Sequence, residues 1–199
     1  MKVKRQRGRP PEFDRDTALS AAISVFWTHG YSATSVDRLA GAMAMSKPSI
    51  YAAFGPKEAI YRQALNAFCG QLTDAILALK DSKMSLSDAL VELFEKEIDF
   101  YCLNDPPLGC LLVCTAPTET INCPEVQRDL ATAVTAMDAA FREIITAAGL
   151  GATAEQGHHV AATAMGLQGV LHTLAIRTRA GQHPEQLKAF VRLHVPQLL

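Results

Sequence analysis

Apolar side chains recur at three-to-four spacing along almost the whole chain, punctuated by glycine and proline, and this pattern confines the fold to packed helices. No segment alternates as a half-buried strand does, and neither an internal repeat nor a long low-complexity tract breaks the pattern. With 199 residues, 49% hydrophobic and 20% charged, the chain can bury a generous core without a covalent or metal staple. The spacing predicts a first helix over 13–29, carrying Ala18, Leu19, Ala22, Ile23, Phe26 and Trp27, capped by Asp14 and stopped by Gly30.

A short second helix is predicted over 34–42, opened by the Thr34 hydroxyl capping the amide of Asp37. A third opens at Ser46 with Pro48 in its first turn, buries Ile50, Ala53 and Phe54, and ends at Gly55-Pro56. Longer helices follow over 57–80, 85–103, 108–120, 124–148 and 153–180, with a last one after Pro184; Pro117 is expected to interrupt or shorten the helix over 108–120.

Two of these helices carry narrow seams. Val160, Ala164, Leu167, Leu171 and Leu174 repeat at spacings of four and three, and Leu187, Val191, His194 and Leu198 continue the theme. They predict an antiparallel pair that forms a four-helix bundle with a second copy, hence a homodimer. The alternative is that both seams face the chain's own core.

The net charge of −1 conceals a division. Residues 1–62 hold ten Lys and Arg against five acids, and the remainder holds nine against fifteen. A basic first third on an acidic remainder points to a polyanion at one end. Cys69, Cys102, Cys110, Cys114 and Cys123 are odd in number, form no Cys-x-x-Cys pair and follow no cleavable signal, so a reducing, cytoplasmic location is expected. The longest apolar stretch, 160–176, is 17 residues and is interrupted by Thr163, Gln168, His172 and Thr173. A membrane helix needs ~20 residues, so no membrane association is expected.

Two short helices joined by Met43-Ala44-Met45, behind a longer buttressing helix, follow the plan of a helix-turn-helix reader of double-stranded DNA. In that plan Ile50 and Phe54 face inward, leaving Lys47, Pro48, Ser49 and Tyr51 for a major groove. Residues 8–62 resemble the N-terminal domain of the TetR/AcrR family of transcriptional repressors. The likeness rests on Gly8-Arg9-Pro10, on Ala18, Ala22, Phe26 and Gly30-Tyr31, and on Thr34-Ser35-Val36 and Leu39-Ala40. It continues through Ser46-Lys47-Pro48-Ser49-Ile50-Tyr51, Phe54, Lys57 and Glu58.

The resemblance implies an all-α chain with a basic arm over 1–12, a helix-turn-helix domain over 13–58 and a helical effector-binding and dimerisation domain over 59–199. It implies phosphate contacts from Thr34 or Ser35 and from Lys57, base-edge or phosphate contacts from Lys47 and Ser49, and a backbone contact from the Tyr51 hydroxyl, with Ser46 and Pro48 as further DNA-binding positions. Arg5, Arg7 and Arg9 would track the backbone or enter a minor groove. A homodimer would hold two third helices about one DNA turn apart on a palindromic operator, and an unknown small-molecule effector would release it. The chain departs from the family at Ala44, where glycine is usual, and at Ala52 and Ala53, where larger groups are common.

Phe94, Tyr101, Cys110, Cys114, Met137, Phe141 and Gln168 are candidate effector contacts, as bulky, polar or thiol groups in the helical remainder. No His-Glu-x-x-His or Gly-x-Ser-x-Gly motif occurs, and His158 and His172 share a helix face but stand ~21 Å apart at ~1.5 Å rise. No enzyme, metal or cofactor is therefore expected. Two alternatives stay open: a helical small-molecule binder or enzyme with a basic module, and a regulator sensing redox state through Cys110 and Cys114.

Overall fold

The computed structural model describes residues 14–149 and 154–199, and every regular element among them is helical. α1 (Arg15–His29), α2 (Val36–Ala42) and α3 (Lys47–Phe54) form an N-terminal three-helix unit. α4 (Lys57–Ala78) leads from it into the larger part, built from α5 (Leu86–Tyr101), α6 (Leu111–Glu119), α7 (Pro124–Ala147), α8 (Ala154–Arg179) and α9 (Pro184–His194). The arm residues Arg5, Arg7 and Arg9 lie outside the described residues.

The helix ends follow their capping chemistry. Asp14 accepts from the Asp16 amide and the Thr17 hydroxyl at the start of α1, and Gly30, at φ 73°, returns its N–H to Phe26 O at 2.8 Å. The hydrogen bond from Thr17, then that from Asp16, holds the Asp14 carboxyl below its ordinary value. Ser85 caps α5 by accepting from the Asp88 amide at 3.1 Å.

α4 is the axis of the molecule. Ile60, Tyr61, Ala64, Leu65, Phe68, Leu72 and Ile76 are all buried, because α1 packs on one side of the helix and α7 on another. Each large apolar side chain so covered contributes about 1.5–3 kcal/mol. Polar ties join α4 and the loop after α1 to α6 and α7: Tyr61 Oη to Thr115 Oγ1 at 2.7 Å, the Ser32 hydroxyl to Glu119, and a forked contact from Arg62 to Asp129.

α6 is shorter than expected, and the reason lies at its start. Residues 108–110 run as an irregular strap against α8, with Gly109 at φ 66°; a Cβ there would stand 2.4 Å from Ala175 O and 3.0 Å from Cys114 Sγ. Pro117 sits within the helix without ending it. The strap's Gly109 carbonyl accepts the indole N–H of Trp27 at 2.8 Å, tying α1 to the larger part.

The predicted dimer seam requires correction. Val160, Ala164, Leu167, Leu171, Leu174, Leu187 and Val191 are all buried within the single chain, so they pack its own core. Leu198 lies half-buried against Gly166, and His194 is exposed, stacked on Phe190 at 4.3 Å. A helix facing its own core and one facing a twin show the same spacing, and here the first case holds. The opposite faces carry Met165, Ile176 and Leu193, at 67%, 55% and 61% exposure.

Among the described residues no helix is long and apolar enough to cross a membrane, and no group of three or more His, Cys, Asp or Glu is placed to hold a metal ion.

Candidate nucleic-acid interface

α3 has one apolar side and one polar side. Ile50 and Phe54 are buried on the first; Lys47, Pro48, Ser49, Tyr51 and Ala52 are exposed on the second. Ser46 starts the helix: its hydroxyl accepts from the Ser49 amide and meets the Ser49 hydroxyl at 2.8 Å. The Lys47 ammonium lies 2.6 Å from Asp37 on α2, and this partner raises its already high pKa. Tyr51 is 49% exposed.

The turn between α2 and α3 keeps its shape despite the departure at its centre. Ala44 adopts φ 51°, the single positive φ among the described non-glycine residues, and the Met45 amide still reaches Ala40 O at 3.1 Å. An L-residue pays roughly 1 kcal/mol for that conformation, so the packing of Leu39, Met43 and Ile50 around the turn overrides local preference.

The far end of α3 is pinned by two neighbours. The Arg15 guanidinium from α1 donates to Ala53 O and lies 4.4 Å over the Phe54 ring. Gln63 of α4 donates to Phe54 O at 2.9 Å and accepts from Arg15 at 2.6 Å. The last carbonyls of α3 are thereby satisfied, and a cation sits at the negative end of the helix. Arg15 and Gln63 carried no signal in the sequence, since their partners are 38 and 9 residues away.

Two predicted phosphate donors are placed differently. Thr34 does not cap α2: it is 1% exposed and its hydroxyl donates to Gly30 O at 2.6 Å, while Ser35 accepts from the Arg38 amide. Lys57 turns inward, donating to Tyr31 O and Thr34 O at 3.0 Å each, with its ammonium 4.1 Å from the Tyr31 ring centre. It fastens α4 to the loop before α2. Arg38, exposed on α2 and held by His29 of α1, is a further cation, and no motif in the sequence marks it.

Residues 18–64 match the family model described as bacterial regulatory proteins, tetR family. The chain is 37% identical over 116 residues to the HTH-type transcriptional repressor ComR of Escherichia coli (strain K12), covering 57% of this chain and 55% of that protein. It is 35% identical over 115 residues to the HTH-type transcriptional repressor BdcR of the same organism, covering 56% and 57%. The alignment thus spans little more than half the length of these curated relatives. Among solved structures, a cysteine mutant of the TetR family transcriptional regulator CifR, complexed with 26bp double-strand operator DNA, superposes with a TM-score of 0.80. Its identity is 32%, over 95% of this chain and 98% of that one. The chain belongs to the TetR family.

In this TetR family member the residues expected to meet an effector are largely core. Phe94 and Phe141, both fully buried, meet edge-on at 6.2 Å; Met137 is buried beside them, and Gln168 donates to Val134 O at 3.3 Å. Cys110 is enclosed and burial pushes its thiol up to about 11; burial also raises Cys114, offset in part by Arg179. That arginine lies 65 residues further along the chain, so the sequence showed no cation near the thiol. All five cysteines are unpaired. Tyr101, 1% exposed, stands between Cys110 and Glu97, a residue that the sequence reading placed only in helical register.

Proposed function

We propose that the chain is a cytoplasmic DNA-binding transcriptional repressor that acts as a homodimer on a palindromic operator and is released by a small molecule. The observation that carries this reading is the outward side of α3, where Lys47, Ser49 and Tyr51 stand exposed on a short helix pinned at both ends. A helix of this length fits a major groove about 12 Å wide, and family membership favours that use. Ser35, Ser46, Pro48 and the arm residues Arg5, Arg7 and Arg9 are proposed as further DNA contacts, while Thr34 and Lys57 are proposed as braces behind them. We divide the chain at 58/59 into a reading part and a regulatory part, with α4 as the lever between them. The dimer is proposed to form through the outward faces of α8 and α9.

Electrophoretic shift assays on the DNA flanking the chain's own gene test the reading. Affinity should fall steeply with salt, and Lys47→Ala should weaken binding and lower the slope of log affinity against log salt by ~1. A flat salt response would overturn it.

A further inference from the structure

A cleft of about 260 Å³ opens between α4 and α5, lined by Phe68, Gln71 and Leu72 on one side and Lys96, Glu97 and Phe100 on the other. Its two charged groups differ. Lys96, its side chain 70% exposed, is already paired with Glu92 at 2.6 Å. Glu97 is largely enclosed, and none of the ion pairs among the described residues includes it; its polar neighbour is the Tyr101 hydroxyl, which backs onto Cys110.

A carboxyl set in aromatic and aliphatic surroundings without a counter-ion is costly to ionise, and burial pushes Glu97 up to about 7. An entering cation removes that cost, and the faces of phenylalanine rings attract positive charge as well. We propose that this cleft binds a small organic cation, a protonated amine or quaternary ammonium on an apolar body, with Glu97 as its counter-ion and Phe68 and Phe100 as its walls.

The walls connect to the reading unit. Trp27 of α1 lies 5.4 Å from Phe68 and 4.9 Å from Phe100, ring centre to ring centre, and its indole N–H holds Gly109 O. A molecule seated between α4 and α5 displaces the rings that seat α1, and through Arg15 that helix holds the end of α3. This effector role rests on the repressor reading; the charge preference of the cleft does not.

The test uses the intact protein without DNA, with Trp27, its single tryptophan, as the fluorescent reporter. Phenyltrimethylammonium is titrated beside tert-butylbenzene, a neutral molecule of the same shape, and benzoate. The cation should bind saturably and at least about tenfold more tightly than either. Its affinity should rise about tenfold between pH 6 and pH 8 as Glu97 ionises. Tyr101 and Cys110, which neighbour Glu97, are pushed upward by burial, Cys110 to about 11, and Lys96 is already held by Glu92. Glu97→Gln should abolish both the preference and the pH dependence, and Glu97→Asp should keep the preference. Equal or tighter binding of the neutral or anionic probe to the unaltered protein would overturn the proposal, whatever the variants do. Loss of DNA binding, measured separately, would sink the repressor reading and leave this one standing.

Discussion

Single residues carry the two clearest conflicts between local chemistry and the fold. Ala44 holds a left-handed backbone that glycine adopts freely. Ala44→Gly should raise stability by about 0.5–1 kcal/mol in urea titrations and leave DNA affinity unchanged, since no side chain contacting DNA is altered. Glu97 conflicts through its proton. Buried, it titrates at about 7, whereas a free carboxyl titrates near 4.5, so between those values the folded chain holds a proton that the unfolded chain has lost. The stability so contributed is fully present below about 4.5 and is lost as pH rises through about 7. Glu97→Gln should flatten the dependence of stability on pH across that window by on the order of 1–2 kcal/mol, after allowance for partial exposure. Parallel dependences in the two proteins would show that Glu97 is not enclosed in solution.

At the scale of elements, the proposed reading of DNA by α3 requires that the helix be held, and what holds it comes from elsewhere in the chain. Arg15→Ala should cost about 1–2 kcal/mol of stability and weaken DNA binding without changing its salt slope, because the lost contacts are to Ala53 O, Gln63 and the Phe54 ring. Lys57→Met leaves two carbonyls at Tyr31 and Thr34 without their donor and should cost about 1–3 kcal/mol, read as a lowered urea midpoint. Lys47→Ala, by contrast, breaks an exposed, solvent-screened pair with Asp37 and should leave the urea midpoint unchanged. The existence and order of the helices were legible because period and caps are local. The roles of Thr34 and Lys57 were not, because which way a hydroxyl or ammonium turns depends on carbonyls supplied by other segments.

For the whole molecule, the decisive question is which faces of α8 and α9 remain open. Met165, Ile176 and Leu193 are large, apolar and exposed, while the seam of α8 and, on α9, Leu187 and Val191 lie inside. Met165→Arg or Leu193→Arg should therefore yield a folded monomer by analytical ultracentrifugation, with intact helical content and weakened operator binding. Leu167→Arg should instead unfold the chain, since that side chain is 0% exposed. A Leu193→Arg protein that stays dimeric would place the interface elsewhere.

The order of apolar residues, caps and breaks determined by itself that this chain is helical and that Lys47, Ser49 and Tyr51 share the open side of a short helix. Those features depend on neighbours within one or two turns, where periodicity is binding. Only the tertiary structure decided that the seam of α8 is core, that Lys57 braces a loop, and that Glu97 stands enclosed beside a cleft. Burial and pairing depend on what the rest of the chain brings close, and a helical repeat is the same whichever surface it meets.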